Sequence, residues 1–132
     1  MYILDTNICI YAMKGIYTSL NEKLLSIPTK NIFISTVTIG ELEYGAKKSK
    51  WQEHSKAIMQ AFLSHYDIIP FTAADAICFG NIKAELELKG LPIGSFDAMI
   101  GAQGVVRNFS VITHNLKEFK RIPNLILEDW VL

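Results

Sequence analysis

Short apolar runs alternate along the chain with longer segments whose apolar residues recur at helical spacing. The runs predict five short strands, over residues 1–4, 31–35, 67–71, 109–113 and 125–127. The segments between them predict helices over residues 6–14, 18–27, 36–48, 51–66, 72–89 and 96–106, with a short helical turn at 115–119. Strands that alternate with helices, and that are apolar throughout, favour an α/β fold with a mainly parallel sheet covered on both faces. We therefore expect a three-layer α/β/α sandwich in one domain over residues 1–132.

The helix ends carry recognisable capping signals. Asn7, Thr72 and Ser95 each stand at the start of an apolar helical segment and are predicted N-caps. The helix over 51–66 has an apolar stripe that we expect to be buried, with Trp51, Ile58, Phe62 and Leu63 among its members.

Five polar residues are predicted to reach one edge of this sheet. Asp5 ends the first strand, and Glu41 lies in the first turns of the helix that leaves the second strand. Asp97 begins the helix that leads into the fourth strand, while Asn115 and Glu118 follow that strand directly. Because a helix that feeds a parallel strand runs antiparallel to it, its start lies beside the strand's carboxyl end. Ligands of open α/β sheets bind at that edge.

Crowded carboxylates repel one another unless a cation lies among them. Oxygen ligands without cysteine or histidine suit a hard ion, so this edge indicates Mg²⁺ or Mn²⁺ and chemistry on a phosphodiester. Each residue also has a simpler explanation. Glu41 completes a capping box with Thr38, Asp97 suits a helix N-terminus, Asn115 could cap a helix, and Glu118 could be a surface acid.

Composition narrows the class of protein. The 132 residues carry 13 basic and 13 acidic side chains, so the chain does not resemble a protein that coats nucleic acid without specificity. No apolar run is long enough for a membrane span, and no signal peptide is evident. Cys9 and Cys78 lie in apolar helical segments and are expected to be buried free thiols, which favours a reducing, cytoplasmic setting.

Four blocks of the sequence resemble the PIN-domain ribonucleases of the VapC toxin type. They are Leu4-Asp5-Thr6-Asn7, the stretch from Ser35 to Ala46 that contains Glu41, the stretch from Pro92 to Ala102 that contains Asp97, and the stretch from Thr113 to Phe119. The blocks occur in the family's order and span nearly the whole chain. The four blocks are specific for this family only as a set, because no single block is decisive.

The resemblance implies roles for these residues. Asp5 and Asp97 would be the principal Mg²⁺ or Mn²⁺ ligands, and Glu41 would complete the acidic set, directly or through water. Asn7 and Thr113 would orient the carboxylates by hydrogen bonds.

One position departs from the family pattern. Many relatives carry an aspartate where this chain has Asn115, so the resemblance leaves open whether the site holds one metal ion or two. Glu118, about one turn further on, could supply the missing charge. Both residues belong to the expected catalytic set.

The resemblance further implies hydrolysis of RNA, possibly tRNA, by a homodimer that a small VapB-type antitoxin silences. RNA needs basic residues near an acidic cleft, and Lys117, Lys120 and Arg121 are the candidates. His114 could contact phosphate, act as a general base, or simply end a strand.

Two other functions stay open at this point. A phosphatase with an aspartyl nucleophile would also place an acid and a threonine after the first strand, but it needs a second acid where this chain has Asn7. A catalytically weak binding module on the same fold is consistent with Asn115.

Overall fold

The computed structural model describes residues 1–132 and contains five strands and seven α-helices. The strands are β1 (Tyr2–Leu4), β2 (Ile32–Ser35), β3 (Asp67–Ile69), β4 (Ser110–Ile112) and β5 (Ile126–Glu128). The helices are α1 (Thr6–Lys14), α2 (Thr18–Ser26), α3 (Thr36–Lys48), α4 (Gln52–Leu63), α5 (Ala73–Leu88), α6 (Ser95–Arg107) and α7 (Leu116–Phe119). A short 3₁₀ turn, Thr29–Asn31, precedes β2.

All five strands are parallel and stand in the order β3-β2-β1-β4-β5. The first strand of the sequence is therefore the central strand of the sheet. Leu4 pairs with Ile112, which aligns the carboxyl ends of β1 and β4. From β1 the chain first adds β2 and β3 on one side and later adds β4 and β5 on the other. The carboxyl ends of β1 and β4 therefore form the switch point, where open α/β sheets bind ligands.

Successive residues of the central strands face opposite layers, as a pleated strand requires. Ile3 and Val111 pack into the core under α5 and α6, whereas Leu4 and Ile112 pack into the core under α1, α3 and α4. Each core holds 11 buried residues. The expected α/β/α sandwich with a parallel five-stranded sheet is thus confirmed.

Helices α5 and α6 are joined by an ion pair that is almost out of solvent. Arg107 donates from Nη1 to Oδ1 of Asp75 at 2.7 Å and from Nη2 to Oδ2 at 3.0 Å. The Asp75 side chain is fully buried, and it also accepts a hydrogen bond from the Thr72 backbone in a capping box. The predicted cap at Thr72 is therefore confirmed.

Two other predicted caps are wrong. Asp5, not Asn7, is the N-cap of α1, because the extended backbone ends at Asp5 and its Oδ1 accepts a hydrogen bond from the Ile8 backbone at 2.8 Å. Helix α6 begins at Ser95 itself, with Gly94 as a cap that offers no side chain.

The buried stripe predicted for the fourth helix is also partly wrong. Trp51 and Ile58 are exposed to 70% and 39%, and Met59 is the buried residue of α4. Only one side of α4 packs on α3, so Ile58, the residue next to buried Met59, points to solvent. Cys9 is buried, but Cys78 is only half-buried, and both thiols are free. None of the helices has the length and apolar character needed to cross a membrane.

Candidate active site

The carboxyl edge of the sheet gathers acids from four separate elements. Asp5 follows β1, Glu41 lies in the second turn of α3, Asp97 lies in the first turn of α6, and Glu118 lies in α7 after β4. The charges of the other three acids all raise the pKa of Asp97. Such coupling requires short distances, so residues distant in the sequence share one electrostatic environment.

Asp5 is held firmly and is almost buried, with 3% of its surface exposed. Burial raises the pKa of Asp5 to about 6, and the charges of Glu41 and Asp129 add to that effect. Hydrogen bonds from the Thr113 side chain and the Ile8 backbone oppose it. The carboxyl group is thus positioned by the helix it caps and by the strand next to it.

Glu41 is held by Thr6, and Thr38 in turn supports Thr6. Thr6 Oγ1 donates to Glu41 Oε1 at 2.6 Å, and Thr6 Oγ1 lies 3.0 Å from Thr38 Oγ1. Because a hydroxyl has one hydrogen and Thr6 gives it to Glu41, Thr38 is the donor to Thr6. The residue that caps α3 is Ser35, whose side chain accepts from the Val37 backbone. Glu41 is therefore free of the capping box that its spacing allowed.

Asp97 is half-buried, and burial is the largest cause of a pKa raised to about 6. The charges of Asp5, Glu41 and Glu118 follow in that order. An acid in the first turn of a helix is normally stabilised in its charged form. Burial and the neighbouring carboxylates outweigh the helix dipole here, which makes Asp97 a group that gains from a nearby cation.

Asn115 and Glu118 act as a pair. The Asn115 amide donates from Nδ2 to Glu118 Oε2 at 3.0 Å. The amide therefore fixes a carboxylate whose charge reaches Asp97. Asn115 stands at the N-cap position of α7 but makes no side-chain capping bond.

The donor atoms of this site suit a divalent cation. The four acids offer only oxygen atoms, which suits Mg²⁺ or Mn²⁺, and the raised pKa values of Asp5 and Asp97 mark the charge that such an ion would relieve. The side chains as they stand form no ready group of three metal ligands. The chemistry of the donor atoms thus fits the ion, while Glu41 and Glu118 are hydrogen-bonded to Thr6 and Asn115.

The predicted supporting residues differ in their placement. The Thr113 hydroxyl accepts from the Asn115 backbone at 2.9 Å, and its side chain hydrogen-bonds Asp5. Asn7 is exposed in the first turn of α1 and is not among the hydrogen-bond partners of the acids. Among the predicted RNA contacts, Lys117 and Lys120 are exposed, whereas Arg121 donates to the Pro92 carbonyl at 2.7 Å.

Sequence reasoning missed three residues of the site. Thr6 and Thr38 support Glu41, and the charge of Asp129 raises the pKa of Asp5. The signal for Asp129 was its position just after β5, at the same edge as Asp5. Thr38 precedes Glu41 by about one turn, but nothing in the sequence shows that α1 packs on it.

A cavity of ≈ 600 Å³ opens beside Glu41. Its lining is mainly apolar and comes from α3 and α6, with Thr36, Val37, Gly40, Glu41, Tyr44, Phe96 and Met99. Phe96 is exposed to 54% and Tyr44 to 65%. A ligand larger than a phosphate could therefore extend from the acids onto aromatic surface.

Without a bound metal ion, the crowding of acids should lower the stability of the fold by a measurable amount. The pKa of Asp97 lies above its unfolded value of 3.8, so the folded chain loses stability as pH rises from about 4 to about 6. In EDTA at pH 7.5, Asp97→Asn should therefore be more stable than the wild type by about 1–2 kcal/mol, allowing for solvent screening of a half-buried group. At pH 3 the difference should vanish, because Asp97 is then largely protonated in both states.

Thermal unfolding followed by circular dichroism measures this difference. Asp67→Asn, at an exposed position on the opposite edge of the sheet, is the matched control and should change little. Addition of Mg²⁺ should raise the Tm of the wild type more than that of Asp97→Asn. A lower Tm for Asp97→Asn in EDTA at pH 7.5 would contradict the account.

Comparison with known proteins identifies the family. The PIN domain family model matches residues 2–125. Ribonuclease VapC2 of Rickettsia felis is 44% identical over 131 residues, which cover 98% of each chain. The tRNA(fMet)-specific endonuclease VapC of Salmonella typhimurium is 39% identical over 98% of this chain and 97% of its own.

Solved structures agree with the sequence comparison. A crystal structure of VapBC2 from Rickettsia felis, bound to a DNA fragment from their promoter, superposes with a TM-score of 0.91 at 42% identity and covers 98% of both chains. The strand order, the acids at the switch point and this likeness over nearly the full length agree. The chain belongs to the PIN domain family and, within it, to the VapC proteins.

Proposed function

We propose that this protein is an Mg²⁺- or Mn²⁺-dependent endoribonuclease that acts as the toxin of a VapBC-type toxin–antitoxin module. The observation that carries the proposal is the convergence of acids at the switch point of the sheet, where the charges of Asp5, Glu41 and Glu118 all act on Asp97. The names of the relatives, ribonuclease and tRNA(fMet)-specific endonuclease, support RNA as the substrate and tRNA as the first RNA to try. Such a substrate places its action in the cytoplasm.

Asp5, Asp97 and Glu41 would hold the ion. When bound, it supplies Lewis acidity to the phosphodiester and to the attacking water. Asp5 is fixed by the Ile8 backbone and by Thr113, so it offers a carboxylate at a constant position. Glu41 is held less firmly, because its bond from Thr6 is the single hydrogen bond that the structure gives it. We expect Glu41 to be the ligand that adjusts.

Glu118 supplies the charge that Asn115 lacks. Its Oε2 is fixed by the Asn115 amide, and its charge acts on Asp97. In this role Glu118 acts as a fourth acid without requiring an aspartate at position 115. Lys117 and Lys120 are exposed on either side of it and would attract the RNA backbone to an otherwise negative edge.

An RNA cleavage assay tests this function. The purified chain should cut total tRNA in the presence of Mg²⁺ or Mn²⁺, and excess EDTA should stop the reaction. It should leave the small ester p-nitrophenyl phosphate intact, whereas an aspartyl phosphatase would hydrolyse it. Failure to cut tRNA and mixed cellular RNA with either ion would contradict the proposal.

A binding-only role is the second candidate. Two observations favour it: an amide at position 115, and the absence of a ready group of three metal ligands. A chain of this kind would bind RNA or its partner but leave RNA uncut in the same assay. The assay therefore separates the two functions directly.

The partner would be a VapB-type antitoxin, since the solved relative is a VapBC complex. A groove of ≈ 290 Å³ between α1, α3 and α4 runs to Glu41, and Ile10, Met13, Leu42 and Met59 are among its apolar residues. A peptide seated there would reach the acidic edge. We expect a VapB-type antitoxin encoded beside the gene for this chain to stop cleavage when added, and unchanged cleavage would contradict this. We also expect the toxin to sediment as a homodimer, and a monomer mass would contradict that.

A further inference from the structure

Three aromatic rings from separate segments meet beside the acidic edge, and we call them the aromatic cluster: Tyr11, Tyr17 and His114. The Tyr11 and Tyr17 ring centroids are 5.2 Å apart and edge to face. The His114 ring lies 6.5 Å from Tyr11 and 6.3 Å from Tyr17. The cluster thus joins α1, the loop after it and the residue that follows Thr113.

The imidazole of this cluster is held from one side only. His114 Nδ1 lies 2.8 Å from Asp129 Oδ2, and the Asp129 side chain is 5% exposed. The second oxygen of Asp129 accepts from the Val131 backbone at 2.9 Å, which fixes the carboxylate. The His114 side chain is 41% exposed, and Asp129 is the one hydrogen-bond partner the structure gives it. Nε2 therefore remains available to a ligand.

The aromatic cluster adjoins the site through its chain neighbours. His114 stands between Thr113, which hydrogen-bonds Asp5, and Asn115, which holds Glu118. The charge of Asp129 reaches Asp5. Tyr11 lies on the helix that Asp5 caps, and exposed Lys14 follows it at i+3 on the same side of α1. The three rings and the imidazole nitrogen that has no partner therefore lie on segments that directly adjoin the acidic edge.

We infer that the aromatic cluster is a subsite for one unpaired nucleotide of the RNA, adjacent to the phosphodiester that is cut. The base stacks on the rings, and His114 Nε2 hydrogen-bonds the ribose–phosphate backbone. This inference rests on the proposed ribonuclease function and adds the form of the substrate. Proteins recognise unpaired bases by stacking them on tyrosine and histidine rings, whereas a base in a duplex is not accessible to such rings.

The subsite has a consequence for substrate choice. A paired nucleotide cannot enter the aromatic cluster without leaving its helix, so loops should be preferred over stems. Stacking tolerates all four bases, because each has a π-face. The cluster should therefore select single-stranded position more than base identity.

Binding of RNA in EDTA, where cleavage is stopped, tests the subsite. The probe is a fluorescein-labelled single-stranded RNA that the wild type cuts with Mg²⁺, and anisotropy gives its Kd. Tyr17→Leu and His114→Ala should each raise the Kd about tenfold. Tyr17→Phe keeps the ring and should bind within about twofold of the wild type. His65→Ala, on a surface histidine whose ring lies 6.2 Å from that of Tyr66 outside the site, should do the same.

An abasic RNA separates stacking from a merely structural effect. With the base next to the cleavage position removed, the wild type and Tyr17→Leu should bind with nearly the same Kd. A tenfold difference that persists with the abasic RNA would overturn the subsite. Unchanged binding of intact RNA by Tyr17→Leu and His114→Ala would also overturn the subsite. If the antitoxin then no longer inhibited these two variants, the rings would be assigned to protein docking instead. If the wild type cuts no RNA, the proposed function fails and the subsite with it.

Discussion

Asp97→Asn and Asp5→Asn should each lower the rate of RNA cleavage by at least about a thousandfold. Each change replaces a negatively charged ligand of the proposed ion with a neutral amide of nearly the same size. Such an ion would contribute several kcal/mol to the reaction. Asparagine at position 5 can still accept the Ile8 hydrogen bond, so α1 keeps its cap. Single-turnover cleavage of labelled RNA at saturating protein measures the effect.

The control for this experiment is Asp67→Asn. Asp67 is exposed at the start of β3, at the opposite edge of the sheet from the acids, and its loss should leave the rate unchanged. Circular dichroism should show the same fold for all variants. A rate within tenfold of the wild type for either Asp5→Asn or Asp97→Asn would exclude that carboxylate as a metal ligand. Asp97→Asn should combine higher metal-free stability with lost activity, a pairing that damage to the fold cannot produce.

Arg107→Met should destabilise the chain by about 3–5 kcal/mol, which lowers the Tm by roughly 10–20 °C. The change leaves the fully buried Asp75 carboxylate without its two bonds from the guanidinium. Burial alone would raise the pKa of Asp75, but hydrogen bonds from Arg107 and Thr72 hold it below 3.8. The wild-type pair therefore stabilises the fold at neutral pH and loses that effect as pH falls through the lowered pKa.

The pH dependence distinguishes this ion pair from simple packing. The loss of unfolding free energy in Arg107→Met, relative to the wild type, should become smaller on acidification. A protonated Asp75 is neutral and no longer needs a cation beside it. Lys83→Met is the matched control: it removes an exposed ion pair with Glu87, 2.9 Å long, and should cost less than about 1 kcal/mol. Thermal unfolding at pH 7 and pH 4 measures both variants. A deficit for Arg107→Met below about 1 kcal/mol at pH 7 would show that the pair adds little.

The architecture could be predicted from sequence because the strands are short and apolar on both faces. Residues such as Ile3 and Leu4 must both be buried, which only a covered parallel sheet allows. The position of Asp5 follows from that pattern, since the apolar run ends there. The placement of Asp97 follows from topology, because a helix that leads into a parallel strand begins at the strand's carboxyl edge.

What the sequence could not supply depends on contacts between elements. Thr38 reaches Glu41 only through Thr6, and that relay exists because α1 packs on α3. Trp51 has the character of a core residue, yet α4 turns it to solvent. Caps were misplaced by one or two positions at Asn7 and Ser95, because the last extended residue, not the first polar one, begins a helix.

The strand order also governs when the protein becomes active during its own synthesis. The central strand, β1, emerges from the ribosome first, but its neighbour β4 is not made until residue 112. Glu118 comes later still, so a nascent chain cannot assemble the acidic edge until almost all of it has been translated. Incomplete translation products would consequently lack the complete acidic site.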